Sequence, residues 1–247
     1  MLFSLLATGN IQQIVTELLL TLPVIVLALS IHEAAHGYVA YKCGDPTAYH
    51  MGRLTLNPLK HLDLFGFLSM LIFGFGWAKP VPINTRNFRN PKRGMALSAA
   101  AGPAANLLLG VISAFLLGFF AALSNYVALQ LGQGFLFTAL KYVCTLCSLG
   151  TIYNFLLMAF NLIPIPPFDG SRIAFVFLPQ KYYFGIMRYE RQIMFGLLIA
   201  LLVIDRFTNF SPFGWIAQQL ANLIYIPSYD LFNKLLLPKE IYQLFFS

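Results

Sequence analysis

Charge is what this sequence has least of. Lysine, arginine, aspartate and glutamate make up 10% of its 247 residues against 58% hydrophobic, and the mean hydropathy is +0.71. Soluble domains carry about a quarter of their residues as charges, so an ordinary soluble fold is excluded. The polar stretches between apolar runs are short and leave no room for a large soluble domain. The chain therefore reads as an integral membrane protein. Cysteine is also scarce: Cys43, Cys144 and Cys147 are an odd set, and two of them fall inside an apolar run, which argues against a disulfide framework. Cys144 and Cys147, three apart, read as helix packing residues rather than a redox or metal pair. Acids are outnumbered by bases, giving a net charge of +7. The basic residues are spread along loops beside apolar segments rather than gathered on a polar domain, so nucleic acid is not an expected partner. No lysine or arginine precedes the first apolar run and no small-residue cleavage site follows it, so no cleavable leader is expected.

What is abundant is long apolar sequence. The expected fold is an all-α integral membrane protein forming one membrane-embedded domain over residues 1–247, with about 4–6 transmembrane helices. Spans are expected from Ile11 to Tyr41, Met95 to Leu123, Phe135 to Phe160 and Tyr182 to Ile204, with Pro23 a candidate kink in the first. The stretch 213–236 reads as a further span or an interfacial helix. Residues 64–77 are apolar but too few to cross comfortably, which suggests a re-entrant or β-hairpin element dipping into the membrane, with an edge to which an unwound strand could pair. The small residues from Ala96 to Ala105 would let another helix approach closely, and Asn106 needs a polar partner at that depth. Lys42, Arg53, Lys60, Lys79, Arg86, Arg89, Lys92 and Arg93 lie between the first and second spans, and Arg172, Lys181, Arg188 and Arg191 follow the third. Residues 124–134, read as a loop, carry no charge at all. The positive-inside rule then makes both basic segments cytoplasmic.

Against this apolar background one cluster stands out, His32-Glu33-Ala34-Ala35-His36, near the end of the first span. Histidines four apart share a helix face, so both imidazoles can reach one ion. Glu33, one residue from a ligand, can act as a general base on water without binding the metal. Burying these three groups beside an apolar run costs several kcal/mol, of order 3, unless something binds them. A catalytic zinc site usually takes three protein ligands and leaves a fourth position open. For the third ligand, His50 and His61 are loop histidines of the kind usually solvated, and Asp45 and Asp63 read as caps or turn residues. Asp169 differs, because the proline-rich run Pro164-Ile165-Pro166-Pro167 cannot continue a helix and ends in Asp169-Gly170. It also falls at the cytoplasmic end of its span, at the depth of His36.

His32-Glu33-Ala34-Ala35-His36 in a span, together with Asn161-Leu162-Ile163-Pro164-Ile165-Pro166-Pro167-Phe168-Asp169-Gly170, strongly resembles the paired signatures of the site-2 protease family of intramembrane metalloproteases. Gly102-Pro103-Ala104-Ala105-Asn106 looks like that family's small-residue motif. Residues 51–58 and 79–84 resemble its compact prokaryotic branch, which lacks the PDZ or nucleotide-sensing module of larger members. Phe168 departs from the family's usual leucine but keeps a bulky apolar group. The resemblance implies Zn2+ held by His32, His36 and Asp169, Glu33 as the general base, and Asn161 holding the substrate or its developing oxyanion. Gly102 and Asn106 would support substrate or packing. It implies cleavage of the transmembrane segments of other proteins, in the cell membrane, at a site near the cytoplasmic side. Two other readings remain: a membrane zinc protease acting on soluble or lipid-anchored peptides, and a non-catalytic metal-binding scaffold or transporter.

Overall fold

The computed structural model describes residues 10–73, 76–177 and 212–238, together with 185–186, 188–189, 192–193, 195–196, 199–200 and 242. Its principal helices are α1 (Ile11–Lys42), α2 (Thr47–His50), α3 (Leu64–Phe73), α4 (Pro91–Leu131), α5 (Phe135–Asn161), α6 (Asp169–Phe175) and α7 (Pro212–Leu236). No strand occurs among the described residues, as expected for an all-α fold. Among the described residues three helices, α1, α4 and α5, are long and apolar enough to cross a membrane.

The core is organised by one row of residues on α4. Gly94, Ser98, Gly102, Asn106, Gly110, Ala114, Gly118 and Ala122 recur every fourth position and all are buried. At 3.6 residues per turn such a row winds by about 40° per step, so over its length it travels most of the way round the helix. Different neighbours therefore meet it in succession. Phe88 covers Gly94, His32 and His36 cover Gly102, the Phe155 ring of α5 covers Gly110, and Ser228 of α7 covers Gly118. A methyl group at Gly110 would stand 2.6 Å from the Phe155 ring, so the small side chains are what permit the approach. Phe155, Ala217 and Ala221 form the buried cluster between α5 and α7, and Phe232 stacks edge-on against Phe115 and Phe119.

Helix ends follow local chemistry. Asn90 accepts from the Arg93 amide at 3.1 Å with Pro91 at the first helical position, so α4 begins four residues earlier than hydropathy alone suggests. At the other end residues 124–131 remain helical, because nothing in them stops a helix. The expected loop 124–134 reduces to Gly132–Gly134, where Gly132 takes φ of 76°. The first and third spans match α1 and α5 to within one residue, and Pro23 sits inside α1 without ending it.

Of the two forms expected for residues 64–77, the described part excludes the β-hairpin. Leu64–Phe73 is a ten-residue helix, about 15 Å long, capped by Asp63 accepting from the Gly66 amide at 2.8 Å. A helix has no free edge, so pairing with an unwound strand, one of the roles open to this stretch, is not available along Leu64–Phe73. An isolated antiparallel bridge, Leu62 to Ala78, closes its base. The expected span from Tyr182 to Ile204 falls largely outside the described residues. The stretch 213–236 is a helix packed along α4 and α5 rather than one lying apart from the bundle, although it is not among the three helices apolar enough to cross.

Candidate metal centre

The motif lies on α1 six residues before Lys42, about 9 Å along the axis. Both imidazoles turn inward onto the small-residue row of α4, His32 at 4% exposure and His36 at 7%. The outer nitrogen of each ring is held by α4. His32 Nδ1 lies 2.5 Å from Asn106 Oδ1, and His36 Nδ1 lies 2.7 Å from the Ser98 carbonyl oxygen. The Ser98 hydroxyl in turn donates to the His36 carbonyl at 3.0 Å, so one residue grips His36 twice. Gly102 sits between these two anchors. A Cβ there would come 2.5 Å from His36 Nε2 and 2.6 Å from His32 Nε2, so only glycine leaves space for both rings.

The third element arrives from beyond α5. Asp169 is the first residue of α6, and its side chain makes no cap to that helix. A Cβ on Gly170 would collide with the carbonyl oxygens of Leu162 and Ile163, so glycine is what lets the proline-rich turn fold back on itself and bring α6 against α4. Asp169 Oδ2 then stands 3.2 Å from His32 Nε2 and 3.2 Å from His36 Nε2, while the two Nε2 atoms are 3.0 Å apart.

The donor chemistry fits a cation. A carbonyl oxygen only accepts, so His36 carries its proton on Nδ1 and turns a lone pair inward at Nε2. With Asn106 Oδ1 accepting from His32 Nδ1, His32 does the same. When both rings are neutral, three lone-pair atoms, one of them a carboxylate oxygen buried with no hydrogen-bond partner of its own, meet with no proton between them. Such an arrangement is repulsive until a positive charge enters. Tetrahedral zinc ligands at about 2.0–2.2 Å from the metal stand about 3.3–3.5 Å apart, close to the separations observed. Among the described residues, His32, His36 and Asp169 are the one histidine, cysteine or acid cluster with this convergence.

Glu33 is held by a different element. Its Oε2 accepts from the Val81 amide at 2.8 Å, in an extended strap tied down on both sides. Arg53 Nη2 donates to the Lys79 and Pro80 carbonyls at 2.8 and 3.3 Å. Asp45 accepts from the Asn84 amide at 2.7 Å, the Asn87 side chain at 2.8 Å and the Thr47 amide at 3.1 Å. Burial disfavours the Asp45 carboxylate, but the donors from Thr47, Asn87 and Asn84 outweigh it and hold its pKa below the usual range. Asp45 is thus a turn residue, one of the two roles its sequence suggests, and also the anchor that ties the strap to the end of α1.

Other candidates fall outside the cluster. His50 is exposed. His61 is buried rather than solvated, its Nε2 2.8 Å from the Thr55 carbonyl, because the Leu62 to Ala78 bridge folds its loop over it. Asn161 donates to the Leu157 carbonyl of its own helix at 2.9 Å. Two contributors were not singled out by sequence. Ser98 acts through its backbone carbonyl, which no residue type reveals. Asn154 accepts from Asn106 Nδ2 at 2.8 Å, and it was detectable as an amide inside an apolar span.

Comparison with known proteins agrees with this geometry. The model of peptidase family M50 matches residues 20–204. The chain is 43% identical over 149 residues to "Putative zinc metalloprotease YwhC" of Bacillus subtilis, covering 60% of this chain and 64% of that protein. It is 31% identical over 148 residues to "Putative zinc metalloprotease Rip2" of Mycolicibacterium smegmatis, covering 58% of this chain and 51% of that protein. The shared region thus spans between half and two thirds of these relatives' length. No solved structure matches the chain significantly. The family match spans both halves of the donor cluster and the α4 row between them, and the chain belongs to peptidase family M50, the site-2 protease family.

Proposed function

We propose that this protein is an intramembrane zinc endopeptidase that hydrolyses peptide bonds in or near the transmembrane segments of other membrane proteins, as in regulated intramembrane proteolysis. The observation that carries the reading is the meeting of His32 Nε2, His36 Nε2 and Asp169 Oδ2 within 3.2 Å of one another, on elements of a bundle whose main helices are long and apolar enough to cross a bilayer. The names of these two relatives, each "Putative zinc metalloprotease", support the choice of metal and of reaction.

His32, His36 and Asp169 would hold the ion. Zinc in a three-ligand site supplies Lewis acidity, which makes water a competent nucleophile near neutral pH and draws charge from the scissile carbonyl. Glu33 takes the proton from the attacking water and returns it to the leaving amine, with the Val81 amide fixing Oε2 so that Oε1 is left for this work. Asn161, swinging off the Leu157 carbonyl, would donate to the substrate or to its developing oxyanion. A transmembrane helix hides its carbonyls in its own hydrogen bonds, so a substrate must first unwind, which favours helix-weakening residues near the cut.

Topology supports a multi-pass protein of the cell membrane with its site toward the cytoplasm. Lys42 ends α1, and Arg86, Arg89, Lys92 and Arg93 flank the start of α4, so basic residues border the helix ends nearest the donors. The short apolar α3, with Leu64 and Phe65 exposed, would dip into that leaflet as a re-entrant element, and the chain after Asp169 would add one or more spans.

The test is reconstitution of purified protein in vesicles with a panel of single-span substrates, with and without chelator, mapping cuts by mass spectrometry. Chelator-sensitive cuts within or beside the spans support the reading. Cuts confined to soluble or lipid-anchored peptides would favour a surface protease, and zinc binding without any cut would favour a scaffold.

A further inference from the structure

Asn154 makes no hydrogen bond to the donor atoms, yet it lies at the end of a directed chain of hydrogen bonds. Its Nδ2 donates to the Gly150 carbonyl at 2.7 Å, one turn back on α5. Its Oδ1 accepts from Asn106 Nδ2 of α4 at 2.8 Å, and Asn106 Oδ1 faces His32 Nδ1 of α1 at 2.5 Å. Asn106 is wholly buried and Asn154 is 5% exposed, so water cannot substitute for any member.

The direction of the whole chain follows from its first link. A backbone carbonyl has no proton to give, so the Asn154 side chain must turn its NH2 to Gly150 and its oxygen to Asn106. Asn106 must then spend its NH2 on Asn154 and present its oxygen to His32. An oxygen there stabilises only the imidazole protonated on Nδ1, which is the tautomer whose Nε2 lone pair points at His36 and Asp169. Without Asn154, the Asn106 amide is free to turn over and offer NH2 to His32, stabilising a proton on Nε2, where the donor cluster has no use for one.

We propose that Asn154 is a positioning residue of the metal site: through the amide of Asn106 it fixes the tautomer of His32. The inference rests on the reading of His32, His36 and Asp169 as zinc ligands, and its test separates the two.

Two measurements are made on purified protein in detergent. In the unsubstituted chain, stripped of metal and held at a pH where imidazole is neutral, 15N NMR of the four histidines, assigned with a His32→Gln variant, should show His32 protonated on Nδ1. Zinc affinity is then compared by chelator competition in the parent, Asn154→Leu and Asn154→Asp. Loss of an outer partner of a ligating histidine costs about 10- to 100-fold in metal affinity, so Asn154→Leu should bind zinc that much more weakly and show the Nε2-protonated form of His32. Asn154→Asp, uncharged in its buried site, can donate to Gly150 and accept from Asn106, and should stay within about threefold of the parent. His32 protonated on Nε2 in the unsubstituted protein overturns the proposal even where Asn154→Leu fails to fold. So does a folded Asn154→Leu with parental affinity and tautomer, while a parent that binds no zinc at all refutes the metal site instead.

Discussion

Replacing Gly102 by alanine adds a single methyl group at the point where the two imidazoles pass closest to α4. That methyl would sit 2.5 Å from His36 Nε2 and from His32 Cε1, whereas ordinary contact begins at 3.4 Å. Relief requires the rings to retreat from α4 by about 0.9 Å. Both outer anchors are also on α4, so the retreat stretches them together. The His36 Nδ1 to Ser98 oxygen distance of 2.7 Å becomes about 3.6 Å, beyond hydrogen-bond range. Losing a buried hydrogen bond of this kind costs about 1–3 kcal/mol, and two are strained at once, so zinc binding should weaken by at least about 2–3 kcal/mol, roughly 30- to 150-fold. The assay is competition against a chromophoric chelator in detergent, with thermal unfolding of the metal-free protein as a control. Alanine is the better helix former by about 1 kcal/mol, so propensity alone predicts no loss of fold. Gly134→Ala, where a Cβ meets nothing within 4 Å, should leave affinity unchanged. Gly102→Ala binding zinc within threefold of the parent would refute the packing of both rings on this residue.

Three further perturbations test other parts of the account. Glu33→Gln should keep its zinc and lose about 10²- to 10⁴-fold in kcat, measured on a single-span substrate, since only the proton carrier is removed. Asn161→Ala should lower kcat/KM by about 10²-fold with zinc affinity unaltered, and parental kinetics would withdraw Asn161 from the site. Asp45 has a native pKa below its unfolded value, so its stabilising contribution is present above the unfolded pKa of about 3.9 and is lost as pH falls through the lower native one. Asp45→Asn should therefore melt at lower temperature near neutral pH and show a shallower loss of stability on acidification below about pH 4, and parallel curves for the two proteins would count against the strap anchor.

Much of this was legible before any coordinates, for identifiable reasons. A run of apolar residues longer than a bilayer is thick reports a span whatever its neighbours, so α1 and α5 were readable almost to the residue. His32 and His36 shared a face by helical spacing, and Asp169 stood out because prolines forced the backbone around it. What was hidden depends on how helices meet. The every-fourth-residue row on α4 is visible in the sequence, but that it winds past α1, α5 and α7 in turn follows only from packing. For Leu64–Phe73 the sequence left a re-entrant segment and a hairpin both open, because ten apolar residues suit a short helix and a hairpin equally well, and the helix removes the hairpin. Val81 and Ser98 contribute backbone groups, which every residue type carries, so their letters hold no signal. Asn161 is a site residue only by what the family resemblance implies, and its amide rests on its own helix.

Whether His32, His36 and Asp169 together hold zinc can be read from X-ray absorption at the zinc edge of the purified protein. The account predicts a shell of nitrogen and oxygen at about 2.0–2.2 Å with the outer scattering of two imidazoles and no sulfur. A sulfur shell near about 2.3 Å, the mark of ligation by Cys144 and Cys147, or protein that holds no zinc at all, would contradict it.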